Sequence, residues 1–423
     1  MNNNTETEKF RAEKDTERIY LDYNATTPIA PEVQEAVSNA MRDAWGNPSS
    51  SHTAGVKARR LIDEARTNIA FMVGAKSADI VFTSGGTEAN NWVLHMGLRH
   101  FRHQRSQREI NGKGESAGAV KPHFITSNIE HDSVKLVLEN FEKEGLAEVS
   151  YVPVSTASGK VTVDDVVAAV RPTTVMISIM LANNETGILQ PVAQICERIH
   201  RLNRNSIPFQ RILLHTDAAQ ALGKIPVDVE DLGVDFLTIV GHKFYGPRIG
   251  ALYIREPDRE IAVFPLLVGG GQERNFRPGT ENTPMIAGLG CAAELVYLHV
   301  DKYQTHMKEV RDYLEEKLLQ EFGANICFNA KFSASERLPN TCNISFTRKS
   351  LAGYKVLAAA QRLQASTGAA CHSQNRPSSI LLASGVPEQL AANALRLSVG
   401  RETSKKDIDM VIADLKQALE SLK

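Results

Sequence analysis

Lys243 follows an apolar run that ends at Val240, and the turn signal Gly246-Pro247 comes just after it. A lysine at the end of a buried strand has its amine near the edge of a sheet, where desolvation and neighbouring charge lower the amine pKa. Such an amine is suited to Schiff-base chemistry with a carbonyl compound. Taken alone, Lys243 is better interpreted as a solvated surface lysine, and only its companion residues reverse that interpretation.

Asp217 closes a second apolar run, and Gln220 follows it by three positions. A buried carboxylate is strongly destabilising unless it is paired, so Asp217 requires a cationic partner. A protonated pyridine nitrogen, as in pyridoxal phosphate, is such a partner, and Gln220 could then reach the phenolic oxygen of the same ring. The alternative is that Asp217 caps the helix that follows it.

The segment 83–91 predicts a strand end, a glycine turn and a helix start, with Gly86 and Thr87 at the turn. Free backbone N–H groups and the helix dipole make this geometry an anion site, and Thr87 adds a hydroxyl donor. The sequence therefore predicts a phosphate site here. The alternative is a glycine-rich turn with an ordinary Thr–Glu helix cap.

Polar residues also follow two further apolar runs. His131 could stack on a planar ring and move protons, although a single histidine in this position is more often structural. Asn183 and Asn184 offer two amides after a buried strand, where a turn is the alternative.

The strands and helices that position these residues are predicted by the hydrophobic pattern. Short apolar runs suit parallel strands buried on both faces, and they cover 79–83, 123–127, 149–154, 175–181, 212–217 and 236–240. Helix-period segments between them cover 31–45, 56–73, 133–144 and 192–202. This alternation predicts an α/β fold with a mostly parallel central sheet, which binds ligands beyond the carboxyl ends of its strands.

The pattern changes after about Phe276, where long charged helical segments at 307–322 and 405–423 enclose predicted strands at 341–346 and 394–399. We therefore expect a large α/β domain over 18–275 and a smaller α+β domain over 276–423. Residues 1–17 are expected to form a disordered arm. The segment 101–121, dense in Arg, Gln, Gly and Ser, is expected to be an exposed, flexible insertion.

Composition favours a small-molecule substrate. Lys and Arg total 48 against 49 Asp and Glu, so no large field of one sign attracts nucleic acid or an anionic membrane. The first residues resemble neither a signal peptide nor a transit peptide. No run approaches the roughly 20 apolar residues of a membrane span, so we expect a soluble protein.

The cysteine pattern favours a reducing compartment, most simply the cytosol. The five cysteines are odd in number and form no C-x-x-C pair. Four of them stand in apolar or strand-like surroundings and are expected to be buried and inert: Cys196, Cys291, Cys327 and Cys342. Cys371 differs, because small residues and His372 surround it, which is the context of a reactive thiol.

These motifs, in this order and with segments 21–28 and 46–52 ahead of them, resemble the cysteine desulfurase and selenocysteine lyase family. That family belongs to the fold-type-I, class V aminotransferase-like enzymes, which use pyridoxal 5'-phosphate. The resemblance covers nearly the whole chain after Arg18. It implies that Lys243 carries the cofactor, that Asp217 pairs with the pyridine nitrogen, and that His131 stacks on the ring. It also implies that Gln220 and Asn184 contact the ring oxygen.

The resemblance extends to the phosphate and to a second subunit. It implies that Gly86, Thr87 and His242 hold the phosphate, and that Thr280, after the glycine run 269–271, reaches the phosphate across the interface of a homodimer. The sequence departs from the desulfurase pattern at Val240, where those enzymes usually carry Ser or Thr. One hydroxyl contact to the phosphate is therefore missing, which bears on cofactor affinity.

The resemblance also assigns residues to the substrate. Arg396, inside an apolar strand, matches the arginine that binds the substrate carboxylate; the alternative for this residue is a structural ion pair. Asn184 matches a second substrate contact. Cys371 matches the family's catalytic cysteine, and the segment 368–373 is closer to the selenocysteine lyases than to the desulfurases. Lys243, His131 and Cys371 are the expected catalytic residues.

Three hypotheses for function follow. The first is cleavage of the Cβ–selenium bond of selenocysteine to give alanine, with Cys371 acting as an acid to the departing selenide or as its temporary acceptor. The second is a cysteine desulfurase, which shares all these residues and differs in the leaving atom. The third is a catalytically silent scaffold, which has no need to keep the whole residue set. A selenium-acceptor protein is a further possible partner.

Overall fold

The computed structural model describes residues 18–110, 120–205, 211–368 and 377–423. The expected arm 1–17, the middle of the expected insertion and the segment containing Cys371 lie outside the described residues. The strands are β1 (Ile19–Tyr20), β2 (Ile80–Thr83), β3 (His123–Ser127), β4 (Glu148–Val152), β5 (Thr174–Ser178), β6 (Leu213–Asp217), β7 (Phe236–Val240), β8 (Gly250–Ile254), β9 (Ile326–Phe328), β10 (Thr341–Phe346), β11 (Leu363–Gln364) and β12 (Ala394–Ser398).

The helices alternate with these strands, as the sequence pattern predicts. They are α1 (Pro31–Asp43), α2 (Thr53–Val73), α3 (Gly86–Ile110), α4 (Asp132–Lys143), α5 (Val163–Ala168), α6 (Val192–Asn205), α7 (Val229–Leu232), α8 (Thr283–Phe322), α9 (Gly353–Ala359), α10 (Ser379–Ala383), α11 (Glu388–Ala392) and α12 (Lys405–Ser421).

The chain divides into two compact units. Of the described residues, the larger unit comprises those within Thr27–Asn183 and Ile188–Asp301, and the smaller comprises 18–26, Asn184–Gly187 and those within Lys302–Lys423. The sequence places the division at 275/276 instead. The difference arises because the first half of α8 is a core helix of the larger unit, where a side chain on Gly288 would meet Val37 of α1.

Seven strands of the described chain form the sheet of the larger unit, in the order β2-β8-β7-β6-β5-β3-β4. Neighbours from β7 to β4 pair in parallel, whereas β8 is antiparallel to both β2 and β7. The expected mostly parallel sheet is therefore confirmed. Because β2 and β7 are both antiparallel to β8, their carboxyl ends lie at the same edge as those of β6, β5 and β3.

The register of the sheet brings the candidate site residues together. Asp217 pairs with Thr238 across β6 and β7, and Val240 and Thr83 both pair with Gly250 from opposite sides of β8. A Cβ atom on Gly250 would lie 2.9 Å from the Cα atom of Gly85, so glycine at this position permits the close approach of the β2–α3 turn.

The smaller unit is built around an antiparallel sheet that, among its described residues, has the order β12-β10-β9. Its core joins apolar residues of these strands to the second half of α8 and to α12, including Leu314, Ile344, Leu397 and Val411. Strand β1 pairs in parallel with β11, and Asp22 forms a bridge to Ser398 at the end of β12. The N-terminal segment is thereby held beside the strand that carries Arg396.

Two helices differ from the sequence expectation. Helix α3 continues to Ile110, so the first half of the segment 101–121 is helical rather than an irregular insertion. Helix α8 begins at Thr283 and is long and apolar enough, by composition, to pass for a membrane span. Ile286, Leu289 and Ala293 on this helix are nevertheless fully buried in the protein core.

Candidate active site

The predicted phosphate site forms where β2 ends and α3 begins. Gly86 starts the helix, so the first N–H groups of α3 point out of the turn, as an anion requires. A Cβ atom on Gly86 would lie 2.6 Å from Cγ2 of Val240, whereas one on Gly85 would meet nothing within 4 Å. The exposed Thr87 follows in the first turn. The side chain of Val240 therefore fits against Gly86 where the desulfurases usually have a hydroxyl.

Lys243 lies in a short turn, Gly241–Lys243, at the carboxyl end of β7. Thr27 braces this turn: its Oγ1 donates to the carbonyl of His242 and accepts from the backbone N–H of Tyr245, at 3.2 and 2.7 Å. Tyr245 adopts a left-handed backbone conformation with φ of 66°. The lysine is thus held on a rigid turn at the sheet edge, as the sequence predicts.

The field around this turn is positive. Burial lowers the pKa of His242 to about 4, and the cations Lys243, Arg248 and Lys224 contribute to that decrease. His242 is therefore neutral at pH 7 and retains one ring N–H donor. A neutral donor surrounded by cationic side chains is suited to a phosphate dianion.

Asp217 is only 7% exposed at the end of β6. Its Oδ1 accepts from the backbone N–H of Ala219 at 2.9 Å, and its Oδ2 accepts from Nδ2 of Asn90 at 2.8 Å. Both donors are neutral, and no lysine, arginine or histidine in the described part of the chain forms a salt bridge with this carboxylate. The alternative helix-capping role is not met, because turns rather than a helix follow Asp217 over residues 219–224.

His131 is half-buried at the N-terminus of α4, beyond the end of β3. Its Nδ1 accepts from the backbone N–H of Ser133 at 3.1 Å and lies 2.8 Å from the hydroxyl of the same residue. The preceding residue, Glu130, is buried; its Oε1 accepts from the Ser127 hydroxyl and from the N–H of Met180. Burial raises the pKa of Glu130 to about 8, and the charge of Asp217 adds to that rise.

Gln220 is oriented by a lysine that sequence reasoning missed. The buried ammonium of Lys224 donates to the backbone carbonyl of Gln220 at 2.9 Å and to its Oε1 at 3.1 Å. Because Oε1 accepts from the lysine, Nε2 of Gln220 is directed away from Lys224 and is suited to donate to a ring oxygen.

Thr280 does not join this cluster. It is exposed on the loop that follows Gly279, whose φ is 107°, and it makes no hydrogen bond to the described residues of its own chain. The same loop is fixed at its base by the ion pair between Arg277 and Glu88, at 2.9 Å.

The larger unit fits pyridoxal phosphate. A buried carboxylate whose donors are neutral N–H groups requires a cation, and a pyridinium nitrogen supplies one. The helix N-terminus at Gly86 and the positive field around His242 suit the phosphate, and the turn of Lys243 presents an amine to the aldehyde. These four features lie at the carboxyl edge of one sheet, where such a ligand binds.

The smaller unit contains the predicted substrate arginine. Arg396 is almost fully buried on β12; one guanidinium nitrogen donates to Oδ1 of Asp22 at 2.8 Å and another to the carbonyl of Asn184 at 2.9 Å. The structural ion pair that the sequence left open is therefore present. The Nε atom of Arg396 is buried and has no hydrogen-bond partner among the described residues, so within that part of the chain the guanidinium keeps an unused donor.

Asn184 differs from its neighbour in how its amide is used. Oδ1 of Asn184 is buried and has no hydrogen-bond partner in the described part of the chain, which is the state expected of a group that meets a ligand. The amide of Asn183 instead donates to the carbonyl of Ile129 at 3.2 Å. Of the two amides that the sequence offered, Asn184 is the better candidate for a ligand contact.

The cysteines fall into three groups. Cys196 and Cys342 are buried, and burial raises both thiol pKa values far above the usual range, as expected of inert thiols. Cys291 and Cys327 are only half-buried, so the expectation of full burial is wrong for them, although partial burial raises their pKa values too. Cys371 lies outside the described residues.

Sequence reasoning missed Asn90, Ser133, Lys224 and Asp22. Asn90 belongs to the segment 83–91 that the sequence predicts as a phosphate site, but periodicity alone does not show whether a helical asparagine faces the sheet or solvent. Asp22 lies in a segment that the resemblance covers, but its proximity to Arg396 depends on the tertiary pairing of that segment with β12.

Comparison with known proteins identifies the relatives of this chain. Residues 19–411 match the family model of class V aminotransferases. A selenocysteine lyase of Rattus norvegicus is 56% identical over 96% of this chain and 95% of its own length, and that of Homo sapiens is 57% identical over 96% and 92%. A cysteine desulfurase, IscS, of Dictyoglomus turgidum is 39% identical over 96% of this chain and 95% of its own.

Solved structures give the same picture. A NifS-like protein, 30% identical, superposes with a TM-score of 0.82 over 96% of this chain and all of its own. The protein SspA, solved in complex with cysteine, is 33% identical and superposes with a TM-score of 0.73 over 91% of this chain and 99% of its own.

Proposed function

The chain belongs to the class V aminotransferase family, and we propose that it cleaves the Cβ–selenium bond of L-selenocysteine, releasing L-alanine and selenium. The observation that carries the reaction class is the buried carboxylate of Asp217, which has only neutral donors and stands on the sheet that carries Lys243. The observation that carries the substrate is the higher identity to selenocysteine lyases, 56–57%, than to a desulfurase, 39%.

Pyridoxal 5'-phosphate is the cofactor of this family, and the residues present fit it. Lys243 would hold its aldehyde carbon, Asp217 its ring nitrogen, and Gly86, Thr87 and His242 its phosphate, while His131 would cover the ring. When bound, the cofactor supplies an electron sink for the carbon that loses a proton.

The residues of the chain account for the remaining steps. Arg396 binds the substrate carboxylate, with Asp22 fixing one arm of its guanidinium. Lys243 takes the proton from Cα as a general base and keeps it available for the alanine product. The Cys371 thiolate then accepts the selenium atom: a sulfur–selenium bond forms as the Cβ–selenium bond breaks, the electron pair of the broken bond stays on Cβ, and protonation of Cβ gives alanine. Departure as selenide, with Cys371 as the acid, would need two further electrons from an external reductant to give the same alanine.

We propose a homodimer as the active form. Large apolar side chains of the larger unit are exposed: Trp45 is 75% exposed just after α1, and the exposed rings of Phe71 on α2 and Tyr297 on α8 stand 5.7 Å apart. Exposed aromatic side chains that contact one another favour a protein partner. The exposed Thr280 is available to serve the phosphate site of the second subunit. A selenium-acceptor protein and a cytosolic location complete the proposal.

The test compares alanine production from selenocysteine and from cysteine under identical reducing conditions. We expect much faster release from selenocysteine; equal or faster release from cysteine would favour the desulfurase instead. Borohydride treatment of the purified yellow protein should fix the cofactor mass to Lys243. A colourless protein with no such mass on Lys243 would overturn the whole assignment.

A further inference from the structure

Asn90 lies near the start of α3, and its side chain is buried, with 1% exposed. Both the nitrogen and the oxygen of its amide form hydrogen bonds. Nδ2 lies 2.8 Å from Oδ2 of Asp217 and 2.8 Å from Oγ of Ser133, and Oδ1 lies 2.6 Å from Oγ1 of Thr238. One amide therefore joins three elements at the sheet edge: β6, α4 and β7.

The direction of each hydrogen bond in this cluster is determined. An ionised carboxylate only accepts, so the amide nitrogen of Asn90 faces Asp217 and its oxygen faces the Thr238 hydroxyl. The second amide hydrogen points to Oγ of Ser133, whose own hydrogen then points to Nδ1 of His131, 2.8 Å away. The amide thus connects the acidic residue at the ring nitrogen with the histidine expected over the ring.

The other arm of the network fixes the amide itself. Because the Thr238 hydroxyl donates to Asn90, its oxygen accepts from Nε2 of His215 at 3.1 Å, and Nδ1 of His215 accepts from the Ser178 hydroxyl at 2.8 Å. Burial lowers the pKa of His215 to about 4, so this histidine stays neutral and keeps a single tautomer. The hydrogen bonds of Thr238 and His215, on the side away from Asp217, therefore hold the Asn90 amide in one orientation.

We propose that Asn90 is a positioning residue, which aims the Asp217 carboxylate at the cofactor ring nitrogen and keeps it in register with His131. This inference rests on the proposed function, since it takes pyridoxal phosphate as the ligand. Among the described residues Asp217 has two hydrogen-bond donors, and Asn90 supplies the one that comes from a side chain. Its removal leaves a buried carboxylate under-satisfied and free to rotate.

The experiment measures the dissociation constant of pyridoxal phosphate from the full-length protein after cofactor depletion. Asn90→Leu should weaken binding by roughly tenfold or more, the effect expected for loss of a hydrogen bond to a charged group, and should shift the absorption band of the bound cofactor. Thr238→Val, which removes only the hydroxyl behind the amide, should weaken it less. Asn140→Leu, an exposed asparagine on α4, is the matched control and should bind as the wild type does.

A double-mutant cycle separates positioning from general damage. If Asn90 acts through Asp217, adding Asn90→Leu to Asp217→Asn should change the dissociation constant by less than twofold. Additive effects in the cycle, or wild-type binding and spectrum in both Asn90→Leu and Thr238→Val, would overturn the inference. If Asn90→Leu does not fold, the isosteric Thr238→Val decides alone. Failure of the wild type to bind the cofactor would instead contradict the proposed function.

Discussion

The close approach of Gly86 and Val240 is the most specific packing feature of the phosphate site. The backbone of Gly86 leaves only 2.6 Å between the position of an added Cβ atom and Cγ2 of Val240. Val240, which departs from the desulfurase pattern, therefore packs directly against Gly86. The effect on stability of a substitution at either position should depend on the residue at the other.

We predict that Gly86→Ala destabilises the protein by about 1–3 kcal/mol, because the added methyl group overpacks the β2–α3 turn. In a Val240→Ala background the same substitution should cost much less, since the opposing methyl group is gone. Thermal unfolding of the four proteins of this cycle measures the difference. Gly85→Ala is the matched control, because its Cβ atom meets nothing within 4 Å. An equal cost of Gly86→Ala in both backgrounds would contradict the packing argument.

Glu130 gives the site a pH-dependent contribution to stability. Burial raises the pKa of Glu130 to about 8, so the folded protein keeps this proton where the unfolded chain has lost it. A raised carboxyl pKa stabilises the fold fully below the unfolded pKa, and this stabilisation is lost as pH rises towards 8. Glu130→Gln should remove that loss.

The expected result is a difference in slope. Between about pH 5 and pH 8 the wild type should lose up to about 1.4 kcal/mol per pH unit relative to Glu130→Gln. Unfolding midpoints of both proteins, measured in parallel across this range, give the slope of stability against pH. Any change in stability that the new amide causes at every pH shifts the whole curve and leaves its slope unaffected. Parallel curves would show that Glu130 is ionised in the fold.

At the scale of elements, the loop before α8 is held in an unusual conformation. Glu273, Arg274 and Asn275 all have positive φ, between 46° and 67°, a region that disfavours residues other than glycine. The buried carboxylate of Glu273 pairs with both terminal nitrogens of Arg66 and also accepts from the backbone N–H of Phe82. Two elements distant in sequence, α2 and β2, therefore fix the loop that carries Thr280.

We predict that Arg66→Met lowers the free energy of unfolding by about 3–5 kcal/mol, because it leaves the Glu273 carboxylate buried and unpaired. The loop should also become more sensitive to trypsin. Arg60→Met is the control: its pair with Glu64 is exposed, at 80% and 52%, and should contribute at most about 1 kcal/mol. Similar losses in the two variants would show that the Arg66 pair does not brace the loop.

The elements also show what sequence alone predicts and what it does not. The apolar runs at 123–127 and 236–240 predict β3 and β7 to the residue, because strands buried on both faces leave a continuous signal. The sequence did not predict the antiparallel strand β8. No candidate site residue follows this strand, so nothing drew attention to its apolar run. Lys243, Asp217, Gly86 and His131 were predicted because strand ends converge, but Asn90 and Lys224 depend on tertiary contacts that no local pattern specifies.

At the scale of the whole molecule, the dimer hypothesis rests on complementary observations. The rings of Phe71 and Tyr297 are exposed beside each other, and Thr280 stands exposed on a loop fixed by ion pairs. In a twofold dimer each surface meets its own copy, so two Thr280 residues would be exchanged between two sites.

We predict that a mixture of two inactive variants regains activity if the site is shared. In a heterodimer of Lys243→Ala and Thr280→Ala, one site lacks both residues, whereas the other combines the Lys243 of one subunit with the Thr280 of its partner. Random reassortment of equal amounts gives half heterodimers with one intact site of two, so about a quarter of the wild-type alanine production is expected. Subunit exchange must be verified independently, for example with two affinity tags, and each variant alone serves as the control. A mixture that stays inactive, after complete subunit exchange between two inactive parents, would show that Thr280 does not act across the interface. The reason is that a shared site necessarily gives one working copy in every heterodimer.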